Sequence, residues 1–152
     1  MKKFWINHKG ISMSPLLKEG DTILIDPKVP GDFQCGDIIL FMDHSSKELT
    51  LHRLIAKPMK TKGDLSLYAE MNSEENCFGK AIGFKRGNIY NALSPNDSIF
   101  CKLFLYFSKL RMKGLFFRKF GRLCLIILTK VFEFCSEKTT LNHSEEQILT
   151  DL

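Results

Sequence analysis

Three features of the sequence predict a mainly β fold: a small closed or nearly closed sheet with an appended C-terminal helical segment. Short runs of β-branched and aromatic residues recur between Phe4 and Tyr90. Glycine-aspartate turns separate several of them. Beyond Ser98 the apolar residues change from strand-like runs to helical spacing.

Taken in order, the first clear strand is Thr22-Ile23-Leu24-Ile25-Asp26, followed by Asp37-Ile38-Ile39-Leu40-Phe41. Leu49 to Ile55 and Phe78 to Phe84 complete the set of runs rich in branched and aromatic side chains. Gly-Asp occurs at Gly20-Asp21, Gly36-Asp37 and Gly63-Asp64. In the first two, glycine supplies the backbone freedom of a turn and a strand begins straight after the aspartate. Residues 1–92 therefore read as one β domain, and 93–98, with Pro95 and Asn96-Asp97, as a linker. Over 99–135, Phe116, Phe120, Leu123 and Ile127 share one helical stripe, with Arg118, Lys119 and Arg122 off it. Leu103, Phe107 and Leu110 predict an earlier helix that breaks near Gly114, and 136–152 reads as a polar tail.

Composition narrows the function classes. A 44% hydrophobic share in 152 residues supports a real core rather than a disordered chain. The net charge is +5, yet the stretch from Ser98 to Phe132 alone holds eight Lys and Arg and no carboxylate, so the remainder is net acidic. The five cysteines are scattered, without a CxxC pair or zinc spacing. They read as mostly buried thiols of a reducing compartment, with no disulfide framework, metal or other cofactor. No uncharged apolar run approaches the roughly 18–20 residues of a spanning helix. Basic-plus-aromatic sequence can bind nucleic acid, but helical periodicity with this much Phe favours lipid or core, so no nucleic-acid partner is expected.

Ser12, His52 and Asp64 are the candidate catalytic residues. Peptide-bond hydrolysis needs a nucleophile, a base for its proton and donors for the oxyanion. Ser12 lies in a small-residue turn between Gly10 and Pro15, where its hydroxyl can be presented uncovered. His52 sits within a strand and is suited to deprotonating a serine near neutral pH. Asp64, on a later turn, is the candidate to accept the other ring N–H. The Ser12 amide, with backbone at Gly10 and Met13, is the candidate oxyanion and substrate contact. Read singly, each residue has a plainer role as a turn, strand or cap group; their order and shared frame raise the catalytic reading.

Several segments in this order resemble the boxes of type I signal peptidases. They are Ser12-Met13-Ser14-Pro15-Leu16-Leu17, Gly20-Asp21, Gly36-Asp37-Ile38-Ile39-Leu40-Phe41, His52-Arg53-Leu54-Ile55 and Thr61-Lys62-Gly63-Asp64. Gly79-Lys80 and Lys85-Arg86-Gly87 resemble the segment that closes that domain. Histidine at position 52, where the bacterial housekeeping enzymes use lysine, resembles the archaeal and endoplasmic-reticulum branch. The resemblance implies a serine endopeptidase that removes a signal or leader segment, with Ser12 as nucleophile, His52 as base and Asp64 as acid, and with small residues before the cut. It places a second acid near Glu70, where aspartate is expected, while Lys57 and Lys62 are expected to face solvent. Signal peptidases are held at a membrane, commonly by an N-terminal segment. Only nine residues precede Gly10, so attachment is expected through a membrane surface contact of 99–135, giving a peripheral or C-terminally anchored protein. The competing expectation is that this stripe packs on the β domain. Two other readings stay open: a non-catalytic membrane-surface adaptor that keeps the peptidase frame, and a soluble cytoplasmic leader peptidase.

Overall fold

The computed structural model describes residues 2–27, 32–43, 46–93 and 99–150, with residues 115 and 136–150 described by backbone alone. Eight strands form one antiparallel sheet. They are β1 (Phe4–Asn7), β2 (Thr22–Asp26), β3 (Ile38–Met42), β4 (Leu49–Ala56), β5 (Lys60–Lys62), β6 (Glu70–Met71), β7 (Cys77–Arg86) and β8 (Ile89–Ala92). Two helices follow, α1 (Ile99–Leu110) and α2 (Gly114–Thr150). The polar tail read at 136–152 thus continues α2 as far as Thr150. The linker read at 93–98 lies, apart from Leu93, outside the described residues.

The strand order is β1-β2-β7-β3-β4-β5-β6, so the sheet is open, with β1 and β6 at its ends. The long β7 is its spine. Lys80 pairs with Asp26 of β2 and with Ile39 of β3, while Gly83 and Lys85 pair with both β2 and β8. A strand has two edges, so β3 and β8 occupy successive stretches of one edge of β7 and β2 takes the other.

Alternation decides the faces. In β2, Ile23 and Ile25 are fully buried while Thr22, Leu24 and Asp26 are half-buried, the period-two signature of a strand with one face on a core. In β3, Ile38 through Phe41 are all buried, because both faces are covered. Ile38 and Leu40 join the main core, and Ile39 joins a smaller one with Phe33, Leu54 and Met59. The main core also takes Ile23, Ile25 and Phe84 from the sheet, Met13, Leu16 and Leu17 from the loop after β1, and Phe104, Leu125, Leu128 and Phe132 from the helices. The helices therefore complete the core of the β domain.

In α1, Cys101, Phe104 and Ser108 recur at helical spacing and are buried, as is Arg111 just past its end. Gly114, at φ +73°, reverses the chain into α2. The two helices touch closely at Gly121, where a Cβ would lie 2.9 Å from Cγ of Arg111 and 3.2 Å from the Phe107 carbonyl oxygen. Glu133, near the middle of α2, pins the helix to the β domain by an ion pair with Arg86 of β7 and another, at 3.6 Å, with Lys18 of the loop before β2. The inward face of α2 is thus Gly121, Leu125, Leu128, Thr129 and Phe132, whereas the stripe Phe116, Phe120, Leu123 and Ile127 is exposed. Among the described residues no helix is long and apolar enough to cross a membrane. Of the cysteines, read from sequence as mostly buried, only Cys101 is; Cys35, Cys77 and Cys124 are half-buried and Cys135 is exposed.

Candidate active site

The Ser12 turn is a closed loop with an anchored base. His8 donates its amide to the Asp21 carbonyl at 2.8 Å and accepts from the Gly20 amide at 3.1 Å, which ties the neck between β1 and β2. Gly10, at φ +89°, turns the chain where a side chain would be strained. Amides of Ser14 and Leu17 donate to the carbonyls of Ile11 and Met13. Buried Met13, Leu16 and Leu17 hold one side of the loop in the main core, leaving Ile11 exposed and Ser12 half-exposed.

A second segment supports this turn from below. Leu65 donates its amide to the Ser12 carbonyl at 2.8 Å. A Cβ on Gly63 would lie 2.8 Å from the Ser12 carbonyl oxygen, 2.9 Å from Cβ of Ser12 and 2.6 Å from Oγ of Ser66. Only glycine lets Ser12 and Ser66 sit side by side there. The 62–65 segment is held from α1 and the turn after it: Lys62 Nζ donates to Ser108 Oγ at 3.2 Å, as well as to the neighbouring Gly63 carbonyl at 2.8 Å, and Arg111 Nη2 donates to the Leu65 carbonyl at 3.0 Å. Lys62, expected in solvent, is fully buried. Burial pushes its ammonium down to about 8. Lys57, expected there too, is exposed, and it donates to the Phe33 carbonyl.

His52 lies mid-strand in β4, opposite Ile39 of β3. Its Nδ1 is hydrogen-bonded to Oε1 of Glu70 on β6. Glu70 Oε1 also accepts from Thr61 Oγ1 at 3.2 Å, and that hydroxyl accepts from Asn72 Nδ2 at 2.7 Å. The Phe41 ring flanks the imidazole, with centroids 5.8 Å apart. With Nδ1–H committed to a carboxylate, the basic lone pair resides on Nε2, the tautomer a general base requires.

Asp64 is placed differently from the sequence expectation. It is fully buried, and Arg53 grips both carboxylate oxygens, Nε to Oδ1 at 2.9 Å and Nη2 to Oδ2 at 2.8 Å. Arg53 Nη1 reaches the Gly36 carbonyl at 3.0 Å, and its guanidinium lies 5.3 Å from the Phe104 ring centroid. Burial alone would lower the Arg53 pKa, but the adjacent Asp64 outweighs it and the net shift is upward. The physical reason is strand parity. His52 and Arg53 are neighbours on β4, so their side chains leave opposite faces, and a carboxylate that meets Arg53 in the core is on the wrong face for His52. Asp64 belongs instead with the other Gly-Asp aspartates, each buried and paired with a cation: Asp21 with Arg86 at 2.7 Å and Asp37 with Lys80 at 3.1 Å. That repetition was visible in sequence, whereas Thr61 and Asn72 behind Glu70 carry no sequence signal.

Two clefts adjoin the site. One, of about 410 Å³, runs between the end of β1 and the β3–β4 hairpin, with Asn7, His8, Ser12, Leu40 and Leu51 on its walls. The other, of about 400 Å³, is lined by His52, Ser66, Tyr68 and Glu70. Ser12 and His52 thus face neighbouring clefts, and no hydrogen bond joins them among the described residues. The amides that close the Ser12 turn come from Ser14 and Leu17, and those of Ser12 and Met13 lie outside that pattern. No cluster of three His, Cys, Asp or Glu suited to a metal occurs among the described residues. Neither a curated protein nor a solved structure matches the chain. The family model described as Peptidase S24-like does match, over residues 1–74, and it supports a serine-peptidase-like fold in the broad clan for the β part of this chain.

Proposed function

We propose that the chain is a serine endopeptidase of signal-peptidase type, which removes a leader or signal segment from a peptide or secreted protein through an acyl-enzyme. The observation that carries this reading is the bond between His52 Nδ1 and Glu70, which presents a basic Nε2 on the side of the sheet opposite the Arg53–Asp64 pair. Ser12 is the nucleophile, His52 the base and Glu70 the acid that orients it. Asp64 keeps a structural role.

An extended substrate lies in the cleft between β1 and the β3–β4 hairpin, its backbone following the strand direction and its side chains alternating between pocket and solvent. Ser12 Oγ attacks the scissile carbonyl as its proton passes to His52 Nε2, and the Glu70 carboxylate stabilises the imidazolium. Amides of Ser12 and Met13 hold the oxyanion, with Gly10 giving the turn the backbone angle this requires. His52 then gives the proton to the departing amine, and a water deprotonated by His52 releases the acyl group. The Ser12–His52 hydrogen bond forms when substrate closes the site, since such bonds are commonly long without it.

A peptide library digested by the wild-type chain and by Ser12→Ala, with products identified by mass spectrometry, tests the reading. Cleavage by the wild type alone is expected, with a serine-directed phosphonate adding to Ser12. Equal turnover by both chains sinks the Ser12 mechanism, and cleavage by neither together with no adduct sinks it in favour of a non-catalytic adaptor.

A further inference from the structure

Among the described residues nothing packs over the outward stripe of α2 between Phe116 and Val131, and its chemistry is of one kind. Phe116, Phe120, Leu123, Ile127 and Val131 follow one another at intervals of three or four residues and so form a single stripe. Phe116 is 74% exposed and Ile127 54%, values far from those of core residues at helical spacing. The rings of Phe116 and Phe120 stack in parallel, with centroids 6.3 Å apart, and Phe117 meets Phe116 edge-on. The opposite face of the same helix is committed: Leu125, Leu128 and Phe132 are in the main core, and Glu133 is tied to Arg86. The helix cannot roll to hide its stripe without emptying that core.

Charge distinguishes between possible occupants. At about 100° per residue, Lys119 and Lys130 flank one edge of the stripe, and both are exposed. No carboxylate occurs from Ser98 to Phe132. A second copy docked stripe to stripe would bring these cations together, whereas a surface of anionic headgroups over acyl chains satisfies both features at once. We propose that the outward face of α2 docks on an anionic lipid bilayer, its rings in the acyl boundary and Lys119 and Lys130 on headgroup phosphates. The helix lies along the surface and does not cross it, consistent with the lack of a spanning apolar window among the described residues. This inference is independent of the peptidase reading, because it concerns binding alone.

The test is co-sedimentation of the full chain with phosphatidylcholine vesicles, with and without phosphatidylglycerol. Binding to the anionic vesicles that weakens with added salt is expected. Phe116→Ser/Phe120→Ser/Ile127→Ser should abolish it while leaving circular dichroism unchanged. Lys119→Gln/Lys130→Gln should weaken it by roughly 25-fold, about fivefold for each charge. Should the triple variant fail to fold, the lysine pair carries the test, since both side chains are in solvent. The proposal is overturned if the wild type binds neither vesicle, if folded triple variant binds as wild type does, or if the lysine pair changes nothing. It is equally overturned if sedimentation finds a wild-type dimer that the triple variant dissolves while vesicles bind neither, for then a second copy covers the stripe.

Discussion

Two carboxylates compete for the role of orienting acid, and neutralising each in turn separates them. Asp64 is fully buried and gripped at both oxygens by Arg53, whose only other hydrogen-bond acceptor among the described residues is the Gly36 carbonyl. Asp64→Asn leaves a buried guanidinium with half its compensation, which costs about 3 kcal/mol, the lower end for a broken buried pair because the amide oxygen still accepts one bond. For a chain of this length that lowers Tm by about 10 °C. Glu70 is 39% exposed and its partner His52 13%. Glu70→Gln should therefore change stability by less than about 1 kcal/mol. Its effect is on turnover: without a carboxylate on Nδ1 the imidazolium is unsupported and the tautomer free, so kcat should fall roughly a thousandfold with KM little changed. Calorimetry on both variants, with single-turnover cleavage below the Tm of each, gives the comparison. If Asp64→Asn melts like the wild type but is inactive, while Glu70→Gln cleaves normally, Asp64 is the acid and the strand-parity argument fails.

Two further outcomes follow from the segment under Ser12. The Lys62 pKa is lowered from 10.5 to about 8, so between those values the unfolded chain binds the extra proton and stability rises with pH. The rise amounts to about 3 kcal/mol. Below pH 8 both states are protonated and the folded one carries the full penalty; above 10.5 the penalty is gone. Urea melts of wild type and Lys62→Met across this window should differ by that slope, and parallel curves would refute it. Gly63→Ala places a methyl 2.9 Å from Cβ of Ser12 and 2.8 Å from its carbonyl oxygen. The turn must shift, at a cost of about 1–3 kcal/mol, with turnover falling at least tenfold. A folded, fully active Gly63→Ala would show that Ser12 does not depend on this contact.

Much of the sheet is legible in the sequence because its inner strands are dense in branched and aromatic residues. Thr22–Asp26 coincides with β2, and the runs around Ile38, Leu51 and Ala81 fall on β3, β4 and β7. β5 and β6 escape such reading: Lys60-Thr61-Lys62 and Glu70-Met71 are short and polar, and β5 is a strand only because β4 offers an edge to pair with, as β5 in turn does for β6. The site is legible as a set of residue types rather than as contacts. The period-two rule alone separates His52 from Arg53, but which of Asp64 and Glu70 lies on which face is decided by the path of the chain between β5 and β6. Similarly, helical spacing marks both faces of α2 as apolar. Only the packing of Leu125, Leu128 and Phe132 against the sheet says which one is inward.

The spine position of β7 has a practical consequence for anyone dividing this chain. The stretch that matches the family model ends at residue 74, before β7 begins at Cys77. Every strand-to-strand pairing route from the β1–β2 ribbon, which leads into the Ser12 turn, to the β3–β6 ribbon, which carries His52 and Glu70, passes through that strand. A fragment cut at the matched boundary would leave nucleophile and base on two ribbons with no shared sheet, held by contacts such as the Leu65 amide to the Ser12 carbonyl. A transplantable unit must reach at least to β8, and it needs α1 and α2, or a substitute apolar surface, to cover Phe84 and Ile25.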